Sequence, residues 1–126
     1  MQKILITGAN RGLGLEFTRQ YAAEGWHIIA CCRSPESADE LNTLAAGNSN
    51  IIVEKLDVAD FAAIDQLGVK YKDTPIDILL NNAGIIGPIP IDENIARQHF
   101  GQMEYDIWED VMRVNCYAPM KLTETF

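Results

Sequence analysis

Three glycines lie in a segment whose residue types and spacing suit the binding of a phosphate group. Gly8, Gly12 and Gly14 stand between an apolar run, Ile4–Ile6, and a segment with helical periodicity. Glycine adopts unusual backbone angles, lets a phosphate approach the backbone closely and allows a helix to pack near a strand. The loop amides and the N-terminus of the helix then form an anion site. An ordinary strand-to-helix turn is the alternative.

Residues that could contact a ligand also follow three later apolar runs. In chain order these are Arg33, the pair Asp57–Val58 and the segment Asn81–Gly84. In an open parallel sheet, ligands bind beyond the carboxyl ends of the strands. We therefore expect these residues to line one cleft together with the glycine loop.

Four strands that alternate with helices are predicted to position these residues. Each strand is a short apolar run of the kind that is buried on both faces of a parallel sheet. The runs are Lys3–Ile6, His27–Cys32, Ile51–Leu56 and Ile76–Leu80. The alternation predicts right-handed crossovers and an α/β fold, a doubly wound parallel sheet with flanking helices.

Three helices are predicted between the strands. Gly25 is placed to end the first helix, whereas Ser34 and Asp60 supply capping groups at the starts of the second and third. Helical spacing predicts apolar faces formed by these residues: Leu13, Phe17, Tyr21 and Ala22, then Leu41, Leu44 and Ala45, then Phe61, Ile64, Leu67 and Tyr71.

The segment after the fourth strand has two predicted parts. Residues 85–104 show no clean period and are expected to form a long functional loop. Residues 105–126 are predicted to be helical, and Pro119 lacks the N–H that would bond the carbonyl of Asn115. A kink and a freed acceptor are therefore expected at Asn115. An exposed asparagine near an incidental proline is the alternative.

Composition excludes several classes of function. Asp and Glu number 18 against 10 Lys and Arg, and the net charge of -8 argues against binding to nucleic acid or to an anionic membrane. The three cysteines lack CxxC spacing, so neither a disulfide framework nor a metal site is indicated. We find no leader of signal-peptide form and no apolar run of membrane-spanning length, and expect a single cytoplasmic domain over residues 1–126.

Taken together, the motifs resemble those of the short-chain dehydrogenase/reductase family. The Thr-Gly-x-x-x-Gly-x-Gly loop of Thr7–Gly14, Asp57–Val58 and the Asn-Asn-Ala-Gly of Asn81–Gly84 occur in the family's order and near its spacing. Arg113–Asn115 followed by Pro119 is similar to the C-factor-like or carbonyl-reductase-like branch. The resemblance covers all 126 residues and implies the N-terminal, NAD(P)-binding half of such an enzyme, incomplete at the C-terminus.

The resemblance implies a role for each candidate site residue. In the family the amides around Gly12 and Leu13 hold the pyrophosphate. The implied cofactor-binding set is Gly8, Asn10, Arg11, Gly12, Leu13, Gly14, Arg33, Asp57, Val58, Asn81, Ala83 and Gly84. Within it Asp57 resembles the residue that accepts a hydrogen bond from the adenine amino group, although a turn carboxylate is the alternative. Asn115 resembles an active-site asparagine whose main-chain carbonyl holds a water in the proton relay.

The end of the second strand bears on the choice of cofactor. Family members that use NAD carry an acid there, whereas this chain has Cys32, with Arg33 next and Arg11 in the glycine loop. Two guanidinium groups with no carboxylate beside them favour a 2′-phosphate, so NADP(H) is preferred over NAD(H). A solvated Arg33 and an ion pair between Arg11 and Glu16 are the alternatives.

The family's serine, tyrosine and lysine catalysts follow a fifth strand, which the 126 residues do not contain. Tyr117 and Lys121 match Tyr-x-x-x-Lys literally, but they lie just after Asn115 with Pro119 between them, and we do not expect them to be catalytic. We therefore expect the chain to bind nucleotide and to be inactive alone. A non-catalytic dinucleotide-binding or signalling module that acts by association, and a gene remnant, are the alternatives.

The resemblance implies a Rossmann-like sheet with strand order 3-2-1-4, in which the fourth strand leaves an unpaired apolar edge. Such an edge is an association site. We therefore predict a homo-oligomer with residues 76–80 or the last helix at the contact. The substrate is not specified by these residues.

Overall fold

A computed structural model describes residues 1–126 and contains one parallel sheet of four strands. The strands are β1 (Lys3–Thr7), β2 (His27–Cys32), β3 (Ile51–Lys55) and β4 (Ile78–Leu80). Their order is β3-β2-β1-β4, and every neighbouring pair is parallel. The predicted fold class and strand order are confirmed, and β4 begins two residues later than the predicted run.

The chain forms six α-helices and three other helical turns. The α-helices are α1 (Gly12–Ala23), α2 (Asp39–Ala46), α3 (Phe61–Lys70), α4 (Ile91–Asn94), α5 (Tyr105–Met112) and α6 (Ala118–Thr125). Pro35–Ser37 and Ile95–Gln98 are 3₁₀ turns, and Arg113–Tyr117 is a π-helical turn that joins α5 to α6. None of these helices combines the length and the hydropathy that crossing a membrane requires.

Two apolar layers cover the two faces of the sheet. Alternate residues of a strand point to opposite faces, so Ile4 and Ile6 contribute to one layer and Leu5 to the other. The first layer packs against α1 and α2, and the second against α3 and α6. Helices on both faces make the sheet doubly wound, which leaves the carboxyl ends of the strands free to hold a ligand.

The predicted inner face of α1 is wrong by one residue at its start. Leu13 is 71% exposed and Phe17 is 37% exposed, whereas Gly14, Thr18 and Ala22 are buried. The cause is the close approach of α1 to the end of β1, because a Cβ on Gly14 would lie 2.0 Å from the carbonyl oxygen of Gly8. Gly14 must therefore face the sheet, and Thr18 and Ala22, one and two turns later on the same side of the helix, face it as well.

The predicted start of the second helix is also wrong. Ser34 makes no side-chain capping bond, and α2 begins only at Asp39. The carbonyl of Ser34 instead accepts from the backbone N–H and the hydroxyl of Ser37, which closes the tight turn that Pro35 begins. The predicted cap of α3 is confirmed, since the Asp60 carboxylate accepts from the N–H of Ala63 at 3.1 Å.

The segment after β4 has more regular structure than expected. Within residues 85–104, predicted to be a loop, α4 and the following 3₁₀ turn form as soon as Pro90 is passed. The predicted irregularity near Pro119 takes the form of the π-helical turn, where the N–H of Ala118 donates to the carbonyl of Arg113, five residues earlier. Pro119 has no N–H and cannot continue the four-residue pattern, which explains the wider turn at this place.

Candidate functional site

A cavity of about 610 Å³ lies at the carboxyl ends of the strands. Residues that follow all four strands line it, together with two residues of the π-helical turn. The predicted residues in its wall are Gly8, Asn10, Arg11, Gly12, Arg33, Asp57, Val58, Ala83 and Gly84. Four other predicted residues, Leu13, Gly14, Asn81 and Asn115, do not line it.

The glycine loop has the backbone conformation that its sequence predicts. Gly8 and Gly12 have φ of 64° and 55°, and a Cβ at Gly12 would meet nothing within 4 Å. At the start of α1 the side chain of Arg11 makes no capping bond. The first amides of a helix have no partner within the helix, so those of Gly12 and Leu13 are available to an anion.

Thr7 and Asn82, which are not in the implied cofactor-binding set, join the glycine loop to the end of β4 through hydrogen bonds. The hydroxyl oxygen of Thr7, which is 1% exposed, accepts from the backbone N–H groups of Asn82 and Ala83 at 3.1 and 3.0 Å. The Asn82 amide nitrogen donates to the carbonyls of Thr7 and Gly8 at 3.0 and 3.1 Å. A hydroxyl residue at the last position of an otherwise apolar buried strand was the available signal.

Arg11 and Arg33 both line this cavity, and both also line an adjoining one of about 570 Å³. Neither makes an ion pair. The alternative pairing of Arg11 with Glu16 is wrong, because the Glu16 carboxylate bonds Arg19 and Gln20 instead. Cys32 is 2% exposed, and burial raises the pKa of its thiol, so the residue in the acid's place is neutral near pH 7.

The Asp57 carboxylate has both a structural contact and a free oxygen. One oxygen accepts from the N–H of Ala59 at 3.0 Å, which is the turn geometry named as its alternative role. The other oxygen accepts no hydrogen bond from the protein, and the side chain is exposed at the cavity wall. Val58 next to it is buried against the second apolar layer. Its backbone is thereby fixed at the cavity wall.

Asn115 acts through its side chain in this structure, whereas the prediction concerned its carbonyl. Its Oδ1 accepts from the N–H of Ile85 at 2.9 Å, and its Nδ2 donates to the Ile85 carbonyl at 2.6 Å. These two bonds hold the chain just after Gly84 against the π-helical turn. Pro119 has no N–H to donate to the Asn115 carbonyl, as expected.

Tyr117 and Lys121 have surroundings that do not suit a proton relay. The Lys121 ammonium lies 2.5 Å from a carboxylate oxygen of Asp65 on α3. Tyr117 is exposed, and neither residue lines the cavity. The Tyr-x-x-x-Lys pattern here belongs to the contact between α6 and α3.

Comparison with known proteins identifies the family. The family model for short chain dehydrogenases matches residues 2–126. The (+)-neomenthol dehydrogenase of Arabidopsis thaliana is 34% identical, over 97% of this chain and 47% of that protein. The NADPH-bound carbonyl reductase from chicken fatty liver superposes with a TM-score of 0.83 at 30% identity, over 100% of this chain and 50% of that one.

A second solved structure agrees with the first. The carbonyl reductase from Pseudomonas aeruginosa PAO1 in complex with NADP has a TM-score of 0.84 at 25% identity, over 99% of this chain and 52% of that one. The chain thus spans about half the length of the relatives it matches. It belongs to the short-chain dehydrogenase/reductase family.

Proposed function

We propose that residues 1–126 form the NADP(H)-binding domain of a short-chain oxidoreductase that acts on a carbonyl or alcohol substrate. The observation that carries this proposal is the glycine loop at the carboxyl ends of the strands, with two unpaired arginines beside it. The loop offers amides to a pyrophosphate, and the arginines offer charge to a further phosphate.

The pyrophosphate lies against Gly12 and Leu13 in this proposal. The open space at Gly12 lets the phosphate approach the backbone, and Asn10 lines the same wall. Gly8 and Gly14 act indirectly, because their contact sets the position of α1 relative to β1. Leu13 and Gly14 need no side chain in the cavity for these roles.

A 2′-phosphate on the adenosine ribose is held by Arg11 and Arg33. The residue at the end of β2 is neutral, because burial raises the pKa of the Cys32 thiol. Guanidinium groups bind phosphate oxygens through paired hydrogen bonds. The NADPH and NADP found in the two carbonyl reductases support the same cofactor for this chain.

The remaining walls orient the other parts of the cofactor. The free Asp57 oxygen accepts from the adenine amino group, and Val58 lies against the ring. Ala83 and Gly84 lie along the ribose, and Asn81 begins their segment without lining the cavity. Asn115 fixes the chain next to them through Ile85. When bound, the cofactor supplies or accepts a hydride.

The chain alone is proposed to bind nucleotide without turnover. The one Tyr-x-x-x-Lys pattern is Tyr117–Lys121, where Lys121 pairs with Asp65 and neither residue lines the cavity. The pattern therefore supplies no group that could donate a proton to the substrate or accept one from it. When the chain is incubated with NADPH and a small ketone, the absorbance of NADPH should fall no faster than it does without the protein. Consumption of NADPH above that rate would contradict this part of the proposal.

Titration with NADPH and NADH tests the cofactor assignment. We expect NADPH to bind about tenfold more tightly than NADH, because charge-assisted bonds to the 2′-phosphate exist only for NADPH. Arg33→Met should remove most of that difference. Arg19→Met, which removes an exposed guanidinium paired with Glu16, is the matched control and should leave both affinities unchanged. Equal affinities for the two cofactors would contradict the preference.

An association module is a second candidate, and the edge of the sheet favours it. β4 pairs only with β1, and its residues Ile78, Leu79 and Leu80 are half-buried. A homo-oligomer would cover this edge or the exposed side chains of the last helix, Tyr117 and Met120. Sedimentation over a concentration series, with and without NADPH, should show association. A monomer at all concentrations would contradict it.

A further inference from the structure

We infer that Arg113 is a positioning residue for the adenosine end of the cofactor, because it fixes the turn after β3 to the π-helical turn between α5 and α6. The inference rests on the proposed function, since the turn comprises Asp57–Asp60 and carries the residues assigned to adenine. Arg113 lines the same cavity as Asp57, Val58 and Ala59.

The contacts of Arg113 are specific. Its Nε donates to the carbonyl of Ala59 at 2.6 Å, across 54 residues of sequence. Its guanidinium lies over the ring of Phe61, 4.0 Å from the centroid. Arg113 makes no ion pair, so both contacts are directed at the turn and at the first residue of α3.

The turn has no other hydrogen bond from outside its own neighbourhood. Its internal bonds run from Ala59 N to the Asp57 carboxylate and from Asp60 N to the Asp57 carbonyl, and Asp60 then caps α3. These bonds set the shape of the turn but not its position relative to the opposite wall. Val58 packs in the second apolar layer, and the bond from Arg113 is the hydrogen bond that ties the turn to the π-helical turn.

The π-helical turn gives Arg113 this reach. Arg113 and Asn115 are two residues apart in that turn, and they hold Ala59 and Ile85, which lie on different sides of the cavity. One helical turn therefore fixes both walls. Loss of Arg113 releases only the adenosine wall, whereas the bonds of Asn115 to Ile85 remain.

The consequence for binding differs from that of Arg33. A loosened turn weakens the contact of Asp57 and Val58 with adenine, which NADPH and NADH share. Arg113→Met should therefore weaken both cofactors about tenfold and leave their ratio unchanged. Arg33→Met should weaken NADPH alone. This contrast separates a contact with the 2′-phosphate from contacts that NADPH and NADH share, and hydrogen exchange separates a loosened turn from a general loss of structure.

The experiment measures NADPH and NADH affinity for the unsubstituted chain, R113M, R113K, R33M and the control R19M. R113K keeps a positive charge and one donor group, and we expect it to be about threefold weaker for both cofactors. Amide hydrogen exchange should accelerate at Ala59 and Asp60 in R113M and not at Ile85. If R113M does not fold, R113K and Phe61→Leu replace it in the test. Phe61→Leu keeps the bond from Arg113 to Ala59, and each variant should lower the affinity for both cofactors twofold to threefold.

The possible results distinguish a failure of the role inferred for Arg113 from a failure of the proposed NADP(H)-binding function. Unchanged affinities in R113M and R113K, or a loss confined to NADPH, would overturn the role of Arg113 while the proposed function stands. Failure of the unsubstituted chain to bind either cofactor would overturn both.

Discussion

The junction of β1 with β4 and the segment 85–104 border the same cleft but are held in different ways. At the junction, the buried Thr7 hydroxyl and the Asn82 amide make four hydrogen bonds between the two strand ends. The segment is held by exposed side chains, through Asn115 to Ile85, Gln98 to Ile86 and Arg97 to Glu104.

Burial decides what each set of bonds contributes. A buried donor or acceptor that loses its partner costs the full desolvation of that group, whereas an exposed one turns to water. The junction is therefore the rigid part of the site, and it carries the glycine loop. The segment after Gly84 can change its conformation at a lower cost in free energy. It lines the cleft from Ile85 to Ile91.

The largest effect is expected at Gly14, where the junction has no free space. Gly14→Ala places a methyl group against the Gly8 carbonyl and should lower the free energy of unfolding by about 3 kcal/mol or more. Gly47→Ala is the control, because its Cβ would meet nothing closer than 3.8 Å. Chemical denaturation measures both. Equal midpoints for the two variants would show that α1 can move from β1 without cost.

Thr7→Val should rank second. It leaves the amides of Asn82 and Ala83 without their acceptor in a partly buried place, at a cost of about 2 kcal/mol. Thr123→Val removes an exposed hydroxyl that bonds the Pro119 carbonyl, and it should change stability by less than about 0.5 kcal/mol. Similar losses in the two variants would contradict the distinction between buried and exposed hydrogen bonds.

Asn115→Ala should have a smaller and more local effect. Its bonds to Ile85 are exposed, so global stability should fall by less than about 1 kcal/mol. Amide hydrogen exchange at Ile85 should accelerate, while exchange at Ala83 stays slow. Gln102→Ala, an exposed residue in the same region without side-chain hydrogen bonds, serves as the control. Faster exchange at Ala83 as well would mean that the two regions open together.

The smallest effect concerns pH. The Arg97 guanidinium bonds the Glu104 carboxylate and holds its pKa below the usual 4.5. A lowered pKa in the folded chain means that the pair contributes above about pH 4.5 and that the contribution is lost as pH falls through the lowered value. The NMR signal of the Arg97 side-chain N–H should shift over that window. The shift should be absent in Glu104→Gln, and its persistence would exclude Glu104 as the titrating group.

Much of the sheet could be predicted because each strand is a local pattern. The bounds of β2 and the Asp60 cap follow from neighbouring residues, whereas the strand order follows from the resemblance of the motifs to the family. The prediction that Ser34 caps an α-helix was wrong because serine before proline is found both at helix caps and in tight turns. Here the residues after Ser34 form a 3₁₀ turn.

The contacts between distant segments could not be predicted in the same way. Thr7 and Asn82 are 75 residues apart, and Arg113 and Ala59 are 54 apart, so only the folded sheet brings them together. The inner face of α1 depends on one close approach, that of Gly14 to Gly8, which periodicity does not reveal. The missing proton of Pro119 predicted an irregular turn, but not that the side chain of Asn115 would bond Ile85.

A titration of the amide NMR spectrum with NADP⁺ tests the site most directly. If the cofactor binds across the strand ends, the largest shifts should occur at Gly12 and Leu13, with further shifts at Arg33 and Ala59. The outer face of α5, marked by Tyr105 and Trp108, should not change. Unshifted amides in the glycine loop, at cofactor concentrations that shift other residues, would contradict the proposed site.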